Sequence, residues 1–160
     1  MKYNVDGFAF EILHSGWMGP DKGMVLYGYS SIIPFKCPNV ILTDIKVCDY
    51  KNREGCVYVK DNTLFIQHGF VYNFASGTTF DGIRIFSKKH WFAMPTAIHD
   101  AMCMLWVQQA VFGEHIFSRL DNDEWYYQNL IDSGCWKIRA KIHRAAVRQF
   151  SKIQIKKYFK

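Results

Sequence analysis

The clearest alternation of apolar and polar positions lies between residues 40 and 67. Val40-Ile41-Leu42 through Val47, Cys56-Val57-Tyr58-Val59 and Leu64-Phe65-Ile66 are short runs rich in β-branched and aromatic residues, which suit a pleated, half-buried surface. Tyr50 to Gly55 is polar and turn-like, and Asp61-Asn62 fits a tight hairpin turn because both residue types tolerate positive φ. These runs predict an antiparallel meander over residues 40–67. Ahead of it, Phe8, Phe10, Trp17, Tyr27 and Tyr29 stand among polar spacers. That weaker pattern suggests a strand-rich extension over residues 1–40, with a loop at Gly19-Pro20-Asp21-Lys22-Gly23.

From Gly69 to Lys89 neither a strand nor a helix period holds. Asn73-Phe74-Ala75-Ser76-Gly77-Thr78-Thr79-Phe80-Asp81-Gly82 mixes small, polar and aromatic residues. A loop of this length inside a small domain is uncommon unless it shapes a site.

Three helices are expected after it. Pro95 suits the first turn of a helix reaching about Gln109. Ser118 is a good N-cap for the second, with Asp121 three residues on at the helix's positive end. Asp132-Ser133-Gly134 supplies its glycine stop. The third helix is expected over Lys137 to Lys152, with Lys137, Lys141, Arg144, Arg148 and Lys152 on one face and Ile138, Ile142, Ala145 and Ala146 on another. The expected fold is α+β: one domain over 1–160, an N-terminal antiparallel sheet packed on a C-terminal three-helix unit, and a basic tail at 153–160. The Gly69–Gly82 loop would cross the junction near the first two helices.

Composition narrows the function classes. At 49% hydrophobic and 17% aromatic, the 160 residues can fill a core, which excludes a disordered or fibrous chain. No apolar run reaches the roughly 18 residues of a membrane span, and Met1 to Asp6 lacks the basic-then-apolar pattern of a secretory signal. The five cysteines Cys37, Cys48, Cys56, Cys103 and Cys135 are odd in number with no Cys-x-x-Cys pair. Thiols in a reducing compartment, and hence synthesis in the cytoplasm, are the expectation. Residues 137–160 hold nine of the twenty Lys and Arg and no acid, so the remaining 136 residues carry eleven basic against fourteen acidic groups. The chain reads as a mildly acidic body with a basic end.

Candidate chemistry concentrates on the first helix. From Trp91 to Val107 the clearly polar side chains are Thr96, His99 and Asp100. A helix apolar on nearly every face is normally buried, and a buried carboxylate without a partner costs several kcal/mol or more. His99 and Asp100 therefore need partners: each other, a backbone group, a metal ion or a third acid. On the second helix Leu120, Asp123, Tyr127 and Leu130 share a stripe, so Asp123 is a candidate inward acid. His99, Asp100 and Asp123 would suit a divalent cation such as Zn²⁺, Mn²⁺, Fe²⁺ or Mg²⁺. They would equally suit a carboxylate-oriented histidine acting as general base. A buried hydrogen-bond hub is the plain structural alternative.

These residues also carry a resemblance. From Gly69 to about Phe150 the chain resembles the phage and bacterial family called domain of unknown function 1353. That family has a Gly-Phe, then Tyr-Asp-Gly-x-Ser-Gly-Pro and Ile-Asp, matched here by Gly69-Phe70, Tyr72-Asn73-Phe74-Ala75-Ser76-Gly77-Thr78 and Phe80-Asp81. Its His-Asp-Ala-Leu-Tyr reads here His99-Asp100-Ala101-Met102-Cys103. Its next acid, behind a Ser-Arg start, falls on Asp123 behind Ser118-Arg119, and its closing Arg-Ala and Val-Arg on Arg139-Ala140 and Val147-Arg148. The match covers about half the chain. Asn73 stands where the family has an acid, Phe74 where it has glycine, Thr78 for proline and Cys103 for tyrosine. The resemblance implies a phage or prophage setting and brings no assigned activity. If the replaced acid is a ligand or base, Asn73 weakens the site.

Other motifs point less far. HD-type metal phosphohydrolases need a further upstream histidine on a helix, whereas His68 and His90 are expected at a strand end and in a loop. Cys103, four residues after His99, could serve a cysteine hydrolase, but an apolar setting would keep its thiol inert. Packing is the expectation there. The basic third helix and the tail Lys152 to Lys160 could track nucleic-acid phosphates, or form a solvated face. The leading expectation is a small phage-encoded hydrolase in which His99, Asp100 and Asp123 hold a divalent metal or activate water, with Asp81 contributing to catalysis. Asn73, Ser76 and Gly77 would shape the substrate pocket. The alternative is a non-catalytic virion component or host-interaction protein with the same scaffold.

Overall fold

A computed structural model describes residues 2–5, 8–12, 24–28, 32–48, 54–67, 70–72, 93–111, 113 and 116–158. Among them, strands β1 (Lys2–Val5), β2 (Phe8–Ile12), β3 (Met24–Gly28), β4 (Ile32–Phe35), β5 (Ile45–Cys48), β6 (Glu54–Lys60), β7 (Thr63–Gln67) and β8 (Val71–Tyr72) precede helices α1 (Ala93–Val111), α2 (Arg119–Asp132) and α3 (Lys137–Tyr158). The fold is α+β, with the strands N-terminal to the helices. By internal contacts it divides into two compact units, Met1–Phe74 and Ala75–Lys160. No helix among the described residues is long and apolar enough to cross a membrane.

The first unit holds two antiparallel sheets of four strands, in the orders β1-β2-β3-β8 and β4-β7-β6-β5. In the second sheet the expected meander is present, and period-2 alternation sets its faces. Val57, Val59, Leu64 and Ile66 are buried, and the register pairs Val57 with Ile66 and Val59 with Leu64. On the opposite face the paired Tyr58 and Phe65 stack with ring centroids 5.1 Å apart. Cross-strand pairs of this kind contribute roughly 0.2–1 kcal/mol each. Asp61 and Asn62 turn the chain at φ of 49° and 61°, the left-handed geometry a two-residue hairpin needs.

Two features depart from the expected meander. β5 starts at Ile45 rather than Val40. The preceding segment is tied to the hairpin turn by side chains instead: the Leu42 amide donates to Asn62 Oδ1 at 2.7 Å, and the Asp61 amide to Asp44 Oδ1 at 3.0 Å. β4 then joins the far side of β7, pairing Pro34 with Phe65. Proline lacks the N–H an inner strand would use, and β4 lies at the sheet's edge.

In the helical unit α2 is central, with α1 and α3 each packed mainly against it. Its ends follow the sequence signals. Ser118 Oγ accepts the Asp121 amide at 3.0 Å while Asp121 accepts the Ser118 amide at 2.8 Å, closing a capping box. At the other end Gly134 takes φ 92°, donating to the Ile131 carbonyl, and Cys135 donates to that of Leu130, both at 2.9 Å. That pair of bonds is a Schellman stop. α3 runs six residues beyond the expected Lys152, because Ile153 to Tyr158 contains no glycine or proline to end it. Residues 153–158, expected in the basic tail, are therefore helix. Ala140, His143 and Ser151 make its buried face, while Ile138 and Ile142 are exposed.

Candidate functional site

α1 is buried on most of its circumference: Ala97, Ile98, Ala101, Met102, Leu105 and Trp106 are all core residues. Thr96 and His99 are buried with them, at 3% and 7% exposure. The polar residues of α1 find their complement on α2. Its buried stripe consists of Arg119, Asn122, Asp123, Tyr126 and Leu130, turned about one residue from the expected Leu120–Asp123–Tyr127–Leu130. Leu120 is exposed and Tyr127 only half-buried, its ring covered by the Arg144 guanidinium at 4.6 Å. The rotation leaves Asp123 inward and adds Asn122 and Tyr126 beside it.

The two helices thus enclose a compact polar cluster. His99 Nε2 lies 3.0 Å from Asp123 Oδ1, and Asp123 is completely buried. With Nε2–H donating to this carboxylate, Nδ1 faces Asp100 Oδ1 at 3.6 Å and Cys103 Sγ at 3.8 Å. The Tyr126 ring packs against the imidazole, centroids 4.7 Å apart. Asn122 Nδ2 donates to the His99 carbonyl at 3.1 Å and to Cys103 Sγ at 3.2 Å. One amide therefore ties the backbone of His99 to the sulfur one turn later.

Charge at the cluster is set by these neighbours. Burial alone lowers the pKa of His99, but the charge of Cys103 and the hydrogen bonds to Asp100, Asp123 and Cys103 outweigh it, holding the imidazole well above its ordinary value. Burial raises the Tyr126 hydroxyl, opposed in part by a hydrogen bond with Thr96. Among the described residues Asp123 Oδ2 has no hydrogen-bond partner, although its carboxylate is fully desolvated. A desolvated oxygen of this kind is costly to keep unless something compensates its charge.

Three of the proposed chemistry-bearing residues, His99, Asp100 and Asp123, come together, Asp123 being the inward acid that could meet the pair. Asn73, Ser76, Gly77 and Asp81 lie outside the described residues, as do His68 and His90. Cys103 is a correction. It is a half-buried thiol set against an imidazole and a carboxamide, not an apolar packing group. His99, Asp100 and Cys103 each offer one donor atom within 4.8 Å of the others. The i, i+4 spacing of His99 and Cys103 was visible in the sequence. Asn122 and Tyr126 had no such signal, because their inward orientation follows from how α2 is rotated.

Elsewhere in the helical unit Arg144 and Arg148, expected on a basic face, both engage Glu124 of α2 at 2.9–3.0 Å. Two of the five stripe residues are thereby partnered within the fold. Cys37, Cys56, Cys103 and Cys135 are thiols, none of them in a disulfide. No family model, no curated protein and no solved structure matches this chain.

Proposed function

We propose that the chain is a small hydrolase that uses a divalent metal ion held at His99 and Asp100, in a phage or prophage setting. One observation carries the reading: a buried histidine is fixed through one ring nitrogen by a carboxylate at 3.0 Å, while its other nitrogen faces two further donor groups. Metal-binding histidines are commonly oriented by an outer carboxylate in this way. A divalent cation at such a place polarises a carbonyl or phosphoryl oxygen and acidifies a water molecule. The phage setting rests on the resemblance to the domain-of-unknown-function family, as do the pocket roles of Asp81, Asn73, Ser76 and Gly77.

A second reading has its own support. The Asp123–His99–Asn122 bonds tie α1 to α2, which is what a purely structural hub would do in a virion component or host-interaction protein. Elemental analysis of purified wild type and His99→Ala separates the two. The hydrolase reading expects a stoichiometric metal in wild type, absent from the variant, and a melting temperature that rises with added Zn²⁺ or Mn²⁺. Metal-free wild type that ignores both ions, together with cofractionation with virus particles, would favour the structural reading.

A further inference from the structure

The ligand set at this centre is open to a sharper assignment. Expected from the sequence were one histidine and two carboxylates, with Asp123 among the ligands. Geometry argues otherwise for Asp123, whose Oδ1 already accepts from His99 Nε2 at 3.0 Å. A carboxylate hydrogen-bonded to one imidazole nitrogen orients the ring, and the metal belongs on the other nitrogen.

That other nitrogen, Nδ1, faces Asp100 Oδ1 at 3.6 Å and Cys103 Sγ at 3.8 Å. In a tetrahedral zinc site with Zn–N near 2.0 Å and Zn–S near 2.3 Å, ligand atoms stand about 3.3–3.5 Å apart. The two separations from Nδ1 exceed those values by a few tenths of an ångström, and all three donor atoms lie within 4.8 Å of one another. Sγ is almost equidistant from Nδ1 and Nε2, at 3.8 and 4.0 Å, so it must swing toward Nδ1 by rotation about χ1 as an ion enters. The cluster is not sealed: Asp100 keeps 21% of its side chain exposed and Cys103 is half-buried, which leaves an approach for the ion.

We infer that His99 Nδ1, Asp100 and Cys103 form a three-ligand zinc-type site, with Asp123 as the outer carboxylate that orients His99. The inference rests on the metal reading above and refines it. A thiolate ligand favours Zn²⁺ over the hard ions Mg²⁺ and Mn²⁺. Three protein ligands leave the fourth position for water or substrate, the arrangement of catalytic rather than structural zinc. Asn122 Nδ2, 3.2 Å from Sγ, donates to the ligand sulfur and holds it toward the site.

Cobalt substitution tests the assignment. Chelator-treated protein is titrated with Co²⁺ while the absorption spectrum is recorded, for wild type, Cys103→Ser and Asp123→Asn. Wild type is expected to bind one Co²⁺ per chain, with a near-ultraviolet thiolate-to-cobalt charge-transfer band and intense visible bands of a tetrahedral site. Cys103→Ser should lose the charge-transfer band and bind more than about 100-fold more weakly. Asp123→Asn should keep the band, with affinity reduced roughly 10–100-fold, the usual effect of removing an outer partner. The wild-type spectrum needs no variant to fold, and circular dichroism confirms folding of the others. Stoichiometric binding without the band, or Cys103→Ser binding as tightly as wild type while Asp123→Asn loses the ion, overturns the inference and leaves the metal reading standing. Wild type that takes up neither Co²⁺ nor Zn²⁺ overturns both.

Discussion

Replacing Asp123 with alanine removes the carboxylate that holds Nε2 of His99, and the structure allows the cost to be worked out. Asp123 has no exposed surface and His99 is 7% exposed, with Oδ1 and Nε2 3.0 Å apart. Removing one member of a buried, hydrogen-bonded charge pair typically costs about 3–5 kcal/mol, because the other is left desolvated and unpaired. Asp123→Asn keeps the volume and one acceptor oxygen, so only the charge-assisted part of the bond is lost. That part is worth about 1 kcal/mol, since a hydrogen bond to a charged group contributes about 1.5–3 kcal/mol and a neutral one about 0.5–1.5 kcal/mol. For a chain of this size each kcal/mol moves the melting temperature by roughly 2–4 °C, so Asp123→Ala should melt roughly 6–20 °C below wild type. The measurement is urea and thermal unfolding followed by circular dichroism, with chelator present so that bound metal contributes nothing. A double-mutant cycle with His99→Ala isolates the pair, and a coupling of about 1–3 kcal/mol is expected for directly bonded partners. Single-variant costs that add to within about 0.5 kcal/mol, with Asp123→Ala costing less than about 1 kcal/mol, would refute the claim that the two side chains depend on each other.

Three further outcomes can be checked separately. Asn62→Ala removes the 2.7 Å acceptor of the Leu42 amide and places a less tolerant residue at φ 61°; a loss of about 1–3 kcal/mol in the free energy of urea unfolding is expected. Glu124→Gln breaks contacts to Arg144 and Arg148, but Glu124 is 49% exposed, so the loss should stay below about 1 kcal/mol and shrink as salt is added. Burial pushes the Cys37 thiol from 9.0 up to about 12. Because its folded pKa is raised, the stability it contributes is fully present below pH 9.0 and is lost as pH rises toward about 12. Unfolding midpoints measured across that window should fall more steeply for wild type than for Cys37→Ala, and equal slopes would contradict the burial argument.

Much of the local structure was legible because its causes are local. A two-residue turn needs residues that accept positive φ, and Asp61-Asn62 marks one whatever surrounds it. Ser118 with Asp121 starts α2, and Gly134 stops it, through hydrogen bonds that span at most five residues. Burial of His99 could be read from the apolar helix around it, and its need for a partner followed from the cost of desolvation, with an inward acid one of the candidates. Asp123 met that need.

What the sequence could not settle depends on distant groups or on rotation about a helix axis. β3 pairs with β8 across more than forty residues, and β4 joins β7 after an intervening hairpin; neither pairing has a local signal. The buried stripe of α2 could be placed only to within about one residue, since the apolar pattern favoured Leu120 and Tyr127 whereas Arg119, Asn122 and Tyr126 turned inward. That small rotation decides the chemistry. It sets Asn122 against both His99 and Cys103, binds Asp123 to Nε2, and leaves Nδ1 facing Asp100 and a sulfur that its sequence neighbours had marked as inert. The sequence alone determined that His99 must be buried and partnered, because apolar periodicity and desolvation are properties of one helix. Only the packing of α2 on α1 decided which atoms became those partners, because hydrogen bonds are short and directional and the residues that make them are brought together by tertiary contact.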